Sequence, residues 1–206
     1  QLAEFAEIWR EEVGIPFAVY GVIPNYVRQD KLQVLTWGGL NRIRMGVQSG
    51  SQRILDFYQR PTPPEQVLEA SLVCAKFAPR YQIPPAYDII VDNPIEIRQD
   101  VIDTLELVYA FGRPFTLNIF SLKVIPNTQL EKTLREQGVD IEEISSNYAN
   151  IPPRWANLVL YLLVVWKPPR WLFDRLLTRV HSSADEQPMY PVRAGLLRAI
   201  YMIKRG

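Results

Sequence analysis

Residues 42–52 read RIRMGVQSGSQ. The segment NRIRMGV (41–47) has the pattern of a buried strand. It runs into a polar Gly/Ser knot that holds one glutamine, Gln48, and a helical pattern follows. Strand, tight turn and helix in that order form the unit from which parallel sheets are built, and the chain repeats it.

Upstream, IPFAVYGVI (15–23) is rich in β-branched and aromatic residues and reads as a strand, and RQDKLQVLTWGG (28–39) as a short helix closed by a glycine pair. Downstream, the break RPTPPE precedes a longer helix with Val67, Leu68, Leu72 and Ala75 on one face. AYDIIVDNP (86–94) is a third strand, ended by Asn-Pro. Val101, Ile102, Leu105, Val108 and Tyr109 mark another helix, and FTLNIFSLKV (115–124) is a fourth strand. A helix over Gln129–Glu136 stops at Gly138. The expected fold class is α/β, the C-terminal portion of a parallel, TIM-like βα barrel over residues 1–138. The chain opens on an amphipathic helix (Leu2, Phe5, Ala6, Trp9, Val13, stopped by Gly14) with no strand before it, so the sheet is expected to begin upstream of Gln1.

From residue 139 the style changes to a helical C-terminal appendage, 139–206. Residues 147–177 hold two Pro-Pro pairs and three tryptophans, followed by the polar loop HSSADEQP and a closing basic helix over 193–205. Proline pairs mark helix boundaries, which favours a helical hairpin packed on the barrel or on a further domain. Contact of the tail with a membrane surface, through its apolar face beside Lys167, Arg170 and Arg175, is the less favoured reading.

Composition narrows the function. The chain of 206 residues is 48% hydrophobic with a net charge of +1, so it is globular and nothing in its bulk charge points to nucleic acid. One cysteine, Cys74, excludes disulfides within the chain and any cysteine cluster held by it alone. One histidine, His181, argues against a zinc site or a histidine-dependent triad. The longest apolar run, Leu158–Trp166, is nine residues, short of the roughly 18 that span a bilayer. A cytoplasmic location is the expectation.

Ligands of parallel βα folds sit at the C-terminal ends of the strands. That rule selects Gln48, Ser49 and Ser51 after the second strand, Asp88, Asp92 and Asn93 on the third, and Lys123 near the end of the fourth. Arg60 lies one short helix beyond Gln48. An amide, hydroxyls, carboxylates and a guanidinium suit a ligand bearing sugar hydroxyls and an amino-acid carboxylate. Each residue also has a plainer reading: the serines as helix caps, Asp88 as a satisfied strand carboxylate, Asp92-Asn93-Pro94 as turn chemistry, and Arg60 as a surface residue. A third reading is an unrelated barrel that binds a phosphorylated ligand at the Gly-Ser turn.

RIRMGVQSGSQRILDFYQRPTPPEQVLEA (42–70) resembles the fourth-strand segment of the radical S-adenosylmethionine (radical SAM) enzymes. YDIIVDNPIEIRQDVIDTLELVYAFGRPFTLNIFSLKVIPNTQLEKTLREQG (87–138) is similar to the fifth- and sixth-strand segment of the same barrel. The DNP and PFTLNIFSL wording is nearest to members that carry an N-terminal cobalamin-binding domain. The resemblance implies that Gln48 hydrogen-bonds the ribose of S-adenosylmethionine, that Arg60 reaches its methionyl carboxylate, and that Asp88 is a further polar contact. By the same resemblance Ser49 and Ser51 belong to the cofactor-binding turn, Ser121 lies against the adenine, and Glu96 fits a Pro-x-Glu turn.

The family's cluster motif, C-x-x-x-C-x-x-C, is not in this chain, nor is the polar motif that holds the ligand's amino group; Cys74 reads as core packing. Ile95 and Asn127 stand where glycine is commoner, an aromatic also being usual at the first. The resemblance therefore implies a fragment whose parent uses a [4Fe-4S] cluster and, in the cobalamin type, cobalamin, neither ligated here, to cleave S-adenosylmethionine or transfer a methyl group to a small-molecule substrate. Its expected partners are the N-terminal half of the barrel and a cobalamin-binding domain. The alternative is a cluster-free, non-catalytic relative or partner subunit that uses the barrel wall for binding.

Overall fold

The glycine at position 50 has almost no room. A Cβ placed there would lie 2.4 Å from the Asp103 carbonyl oxygen and 2.6 Å from the Thr104 Cα, so the turn after the second strand packs backbone against helix. The computed structural model that shows this describes residues 1–60, 62–141, 151 and 153–182. The closing basic helix and most of the loop HSSADEQP lie outside the described residues.

Four strands, β1 (Phe17–Val22), β2 (Leu40–Gln48), β3 (Ala86–Val91) and β4 (Thr116–Ser121), form one parallel sheet in the order β1-β2-β3-β4. Helices α1 (Leu2–Ile8) and α2 (Gln29–Trp37) flank β1. Helices α3 (Gln52–Phe57) and α4 (Pro64–Phe77) separate β2 from β3, α5 (Arg98–Ala110) separates β3 from β4, and α6 (Gln129–Glu136) follows. The tail contributes α7 (Trp155–Val165) and α8 (Arg170–Leu177), each starting behind a proline. This is a partial parallel βα barrel.

The chain divides into two compact units: Gln1–Gln48, Pro61–Asp88 and Ala110–Asn118 form one, and Ser49–Arg60, Ile89–Tyr109 and Ile119–Gly206 the other. In the first, the alternation of β2 sends Ile43, Met45 and Val47 into the core and leaves Arg42, Arg44 and Gln48 half-buried on the opposite face. Leu32, Leu40, Ile43, Cys74, Phe77 and Tyr81 form a core cluster, each large apolar side chain contributing about 2 kcal/mol by burial.

The buried face of α4 is Val67, Ala70, Ser71, Cys74 and Phe77, whereas Leu72 is 47% exposed. The sequence places Leu72 on the core side. Gly112 crosses α4 closely: a Cβ there would lie 2.6 Å from the Ala75 Cβ, and the Gly112 N–H donates to Ser71 Oγ at 3.3 Å. Cys74 is fully buried, and burial pushes its thiol up to about 12.

In the second unit, Leu122, Val124, Leu134 and Ile141 form a core with Phe57, Tyr58, Ile90 and Leu130. The apolar residues of α7, Leu158, Val159, Leu160 and Leu163, are buried. Among the described residues no helix is long and apolar enough to cross a membrane. Along α5 the tail is held by side chains: Arg98 donates to the Val180 and Leu177 carbonyls at 2.8 and 3.0 Å, Tyr109 donates to the Pro168 carbonyl at 3.0 Å and stacks on Phe173 at 4.2 Å, and Arg170 pairs with Glu106 at 2.6 Å.

Gly50→Ala should lower the stability of the chain by more than about 2 kcal/mol, because a methyl group must displace helix backbone. Chemical denaturation checks this, and an unchanged midpoint would refute the close packing.

Candidate functional site

The strand ends divide into groups whose polar atoms are used inside the protein and groups whose polar atoms are not. In the first unit, Gln48 ends β2 with φ +72°, in the left-handed region that a non-glycine residue adopts only when the surroundings impose it. Its side chain folds back over Gly46, where a Cβ would lie 2.6 Å from Gln48 Nε2. Among the described residues this half-buried amide has no hydrogen-bond partner.

Asp88 lies one strand over and is held. Arg44 Nε donates to its two carboxylate oxygens at 2.7 and 2.9 Å, and Asn118 Nδ2 donates to Oδ1 at 2.8 Å. The guanidinium, carboxylate and amide thus link β2, β3 and β4 through half-buried side chains. Arg42, two residues before Arg44, lies over the Tyr20 ring at 5.5 Å, and its buried Nε has no partner among the described residues.

In the second unit, Ser49 and Ser51 are buried and joined to α5. Ser49 Oγ is 3.1 Å from Thr104 Oγ1, which accepts the Gly50 N–H at 2.9 Å; Ser51 Oγ donates to Asp100 Oδ1 at 2.6 Å and caps α3 at the Ile54 N–H. The capping reading of Ser51 is the one its geometry meets. Arg53 pairs with the same Asp100, and Asp100 Oδ2 accepts the Ile97 N–H at 2.8 Å, the acid-to-cap half of a capping box. Burial alone would raise the Asp100 pKa; the hydrogen bonds from Arg53, Ser51 and the Ile97 amide outweigh it and hold the carboxyl below its ordinary value.

Arg60 is exposed, and its guanidinium makes no hydrogen bond or ion pair among the described residues. Ser121, at the end of β4, is buried and donates to Asp92 Oδ2 at 2.5 Å. Asn93 Oδ1 accepts the Ile95 N–H at 3.2 Å, Asn93 Nδ2 donates to the Tyr58 hydroxyl at 3.0 Å, and Glu96 closes the turn with its N–H on the Asn93 carbonyl. Asn127, where the resemblance expects glycine, has φ +65°.

Sequence reasoning alone missed Arg44, Asn118, Asp100, Thr104, Arg154 and Asn157. The signal for Asp100 was available, an acidic residue in the first turn of a helix. The rest needed the sheet register and the tail's path.

No family model matches the chain, and no curated protein matches it. Solved structures do. Coproporphyrinogen III oxidase (HemN) of Escherichia coli, a radical SAM enzyme, superposes with a TM-score of 0.51 at 18% identity, over 70% of this chain and 32% of that one. Elp3 of Methanocaldococcus infernus gives 0.52 at 16% identity, over 76% and 34%. TsrM of Kitasatospora setae, a radical S-adenosylmethionine methyltransferase solved with cobalamin and a [4Fe-4S] cluster, gives 0.53 at 14% identity, over 66% and 27%. The chain shares its fold with part of each of these structures, and it spans about a third of their length.

The donor set can be tested against the groups these enzymes use. A [4Fe-4S] cluster needs thiolates, and the one cysteine of this chain is a core residue of α4 with its thiol pushed up to about 12, so these residues do not fit a cluster. Gln48 ends β2 in a left-handed conformation with its amide unpartnered among the described residues, and Arg60 is exposed.

The depressed pKa of Asp100 sets a pH dependence. Its stabilisation is fully present above the ordinary carboxyl value of 3.8 and is lost as pH falls below that value towards the folded one. Asp100→Asn should destabilise the chain at pH 7 and flatten the acid limb of its stability curve. An acid limb identical in both proteins would contradict the assignment.

Proposed function

We propose that this chain forms the later strands of the barrel of a radical SAM enzyme and holds the nucleoside and amino-acid ends of S-adenosylmethionine. The observation that carries this reading is Gln48: a half-buried, unpartnered amide in a left-handed conformation at the C-terminal end of a parallel strand. Holding a non-glycine residue at positive φ costs about 1 kcal/mol. A ligand hydrogen bond at the strand end, here to the ribose, offsets it. Arg60 takes the methionyl carboxylate, a charge-assisted contact.

Ser49, Ser51 and Ser121 serve this site through position, since their hydroxyls are already bonded to Thr104, Asp100 and Asp92. Asp88 acts in the same way, with its carboxylate held by Arg44 and Asn118. Bound S-adenosylmethionine supplies the adenosyl or methyl group for reaction with a small-molecule substrate. The thiolates for the cluster come from another polypeptide segment, either of the same protein or of a partner subunit. A cobalamin-dependent parent is the narrower reading, supported by the DNP and PFTLNIFSL wording and by the likeness to the fold of TsrM.

In the full-length protein, Gln48→Ala should weaken S-adenosylmethionine binding about threefold to tenfold, and Arg60→Ala about tenfold to a hundredfold, as loss of a neutral and of a charge-assisted hydrogen bond imply. Gly46→Ala should mimic Gln48→Ala, because its methyl group takes the space of the folded-back amide. Titration calorimetry reads all three, and wild-type affinity in both Gln48→Ala and Arg60→Ala would remove the assignment.

A further inference from the structure

Asp92 follows β3 with φ +60°, a conformation that glycine would adopt without strain. Its carboxylate is fully engaged. Oδ2 accepts from Ser121 Oγ at the end of β4, at 2.5 Å; Oδ1 accepts from Arg154 Nη1 at 2.9 Å and, at the longer distance of 3.5 Å, from Asn157 Nδ2. Arg154 occupies the N-cap position of α7, and Asn157 lies in its first turn. Two side chains of the tail therefore hold a strained carboxylate at the strand ends, where a parallel βα fold receives its ligand.

The space beside this network is small and mostly apolar. It encloses about 20 Å³ between Val101, Leu105 and Leu160 on one hand and Asp92, Arg154 and Asn157 on the other, too little for an organic ligand. The tail is thus a brace here, not the wall of a second pocket. It is also anchored apart from Asp92: Trp155 Nε1 donates to the Leu176 carbonyl at 2.9 Å, and Arg98 holds the end of α8. Cutting the bonds to Asp92 leaves these anchors in place.

We infer that Arg154 and Asn157 are positioning residues for the S-adenosylmethionine site. Through Asp92 they fix the left-handed end of β3 and hold the Ser121 hydroxyl on the Asp92 carboxylate, so the ends of β3 and β4 keep the geometry that receives the nucleoside. The inference rests on the reading of the site given above.

The test is titration calorimetry with S-adenosylmethionine on the full-length protein, comparing Arg154→Ala, Arg154→Lys, Asp92→Gly and the double variant Asp92→Gly/Arg154→Ala, with Gln48→Ala as the reference. Arg154→Ala should weaken binding about tenfold, the loss expected for one charge-assisted partner, and Arg154→Lys should restore part of it. In the Asp92→Gly background, Arg154→Ala should have no further effect, because the residue acts through Asp92. A merely structural role would instead give the same loss in both backgrounds, and that result overturns the inference. Wild-type affinity in Arg154→Ala beside a loss in Gln48→Ala also overturns it while sparing the ligand assignment. Wild-type affinity in both removes the ligand assignment and the inference with it. Should Arg154→Ala fail to fold, Arg154→Gln carries the same comparison.

Discussion

The second unit is organised by the contact between the Gly-Ser turn and α5. Gly50 lies against the Asp103 carbonyl with no room for a side chain, and the serines on either side bond to Thr104 and Asp100. Asp100 then collects Arg53 and the Ile97 amide, so one carboxylate ties the start of α3, the turn after β3 and the start of α5. The same helix carries Arg98, Glu106 and Tyr109 to the tail. Because backbone touches backbone at Gly50, the turn can shift only if the helix shifts. That rigidity fixes the direction in which the chain leaves the strand end.

A second principle separates scaffold from site. Polar side chains at the strand ends either find partners inside the protein or wait for one from outside. Asp88, Ser49, Ser51 and Ser121 belong to the first kind, with close and mostly charge-assisted or buried hydrogen bonds. Gln48 and Arg60 make no side-chain hydrogen bond among the described residues. Strain is seen at Gln48, where the backbone is held at positive φ and the side-chain amide has no hydrogen-bond partner among the described residues. Asp92 is the instructive contrast, strained but compensated by Ser121, Arg154 and Asn157.

The strand and helix order was legible because periodicity changes sharply between segments. NRIRMGV alternates and becomes β2, while the helix expected over Gln129–Glu136 forms with those bounds and stops at Gly138, which has φ +74°. The buried side of α4 was not legible. Hydropathy favours Leu72, but the helix turns Val67, Ala70, Ser71, Cys74 and Phe77 inward, and the Gly112 backbone lies against Ser71 and Ala75. Gln48 was legible as a candidate from its place after a strand. What its amide lacks was not, since partnership depends on which side chains the register brings near. The same holds for Asp88, whose Arg44 and Asn118 lie 44 and 30 residues away in sequence.

The central claim is that Gln48 ends its strand in a strained conformation in order to meet a nucleoside. A structure of the full-length protein with S-adenosylmethionine bound tests it most directly. The account predicts the ribose hydroxyls within hydrogen-bond distance of the Gln48 amide, with φ of Gln48 still positive. A bound ligand whose ribose lies away from Gln48, with that amide satisfied by a protein group, would contradict it.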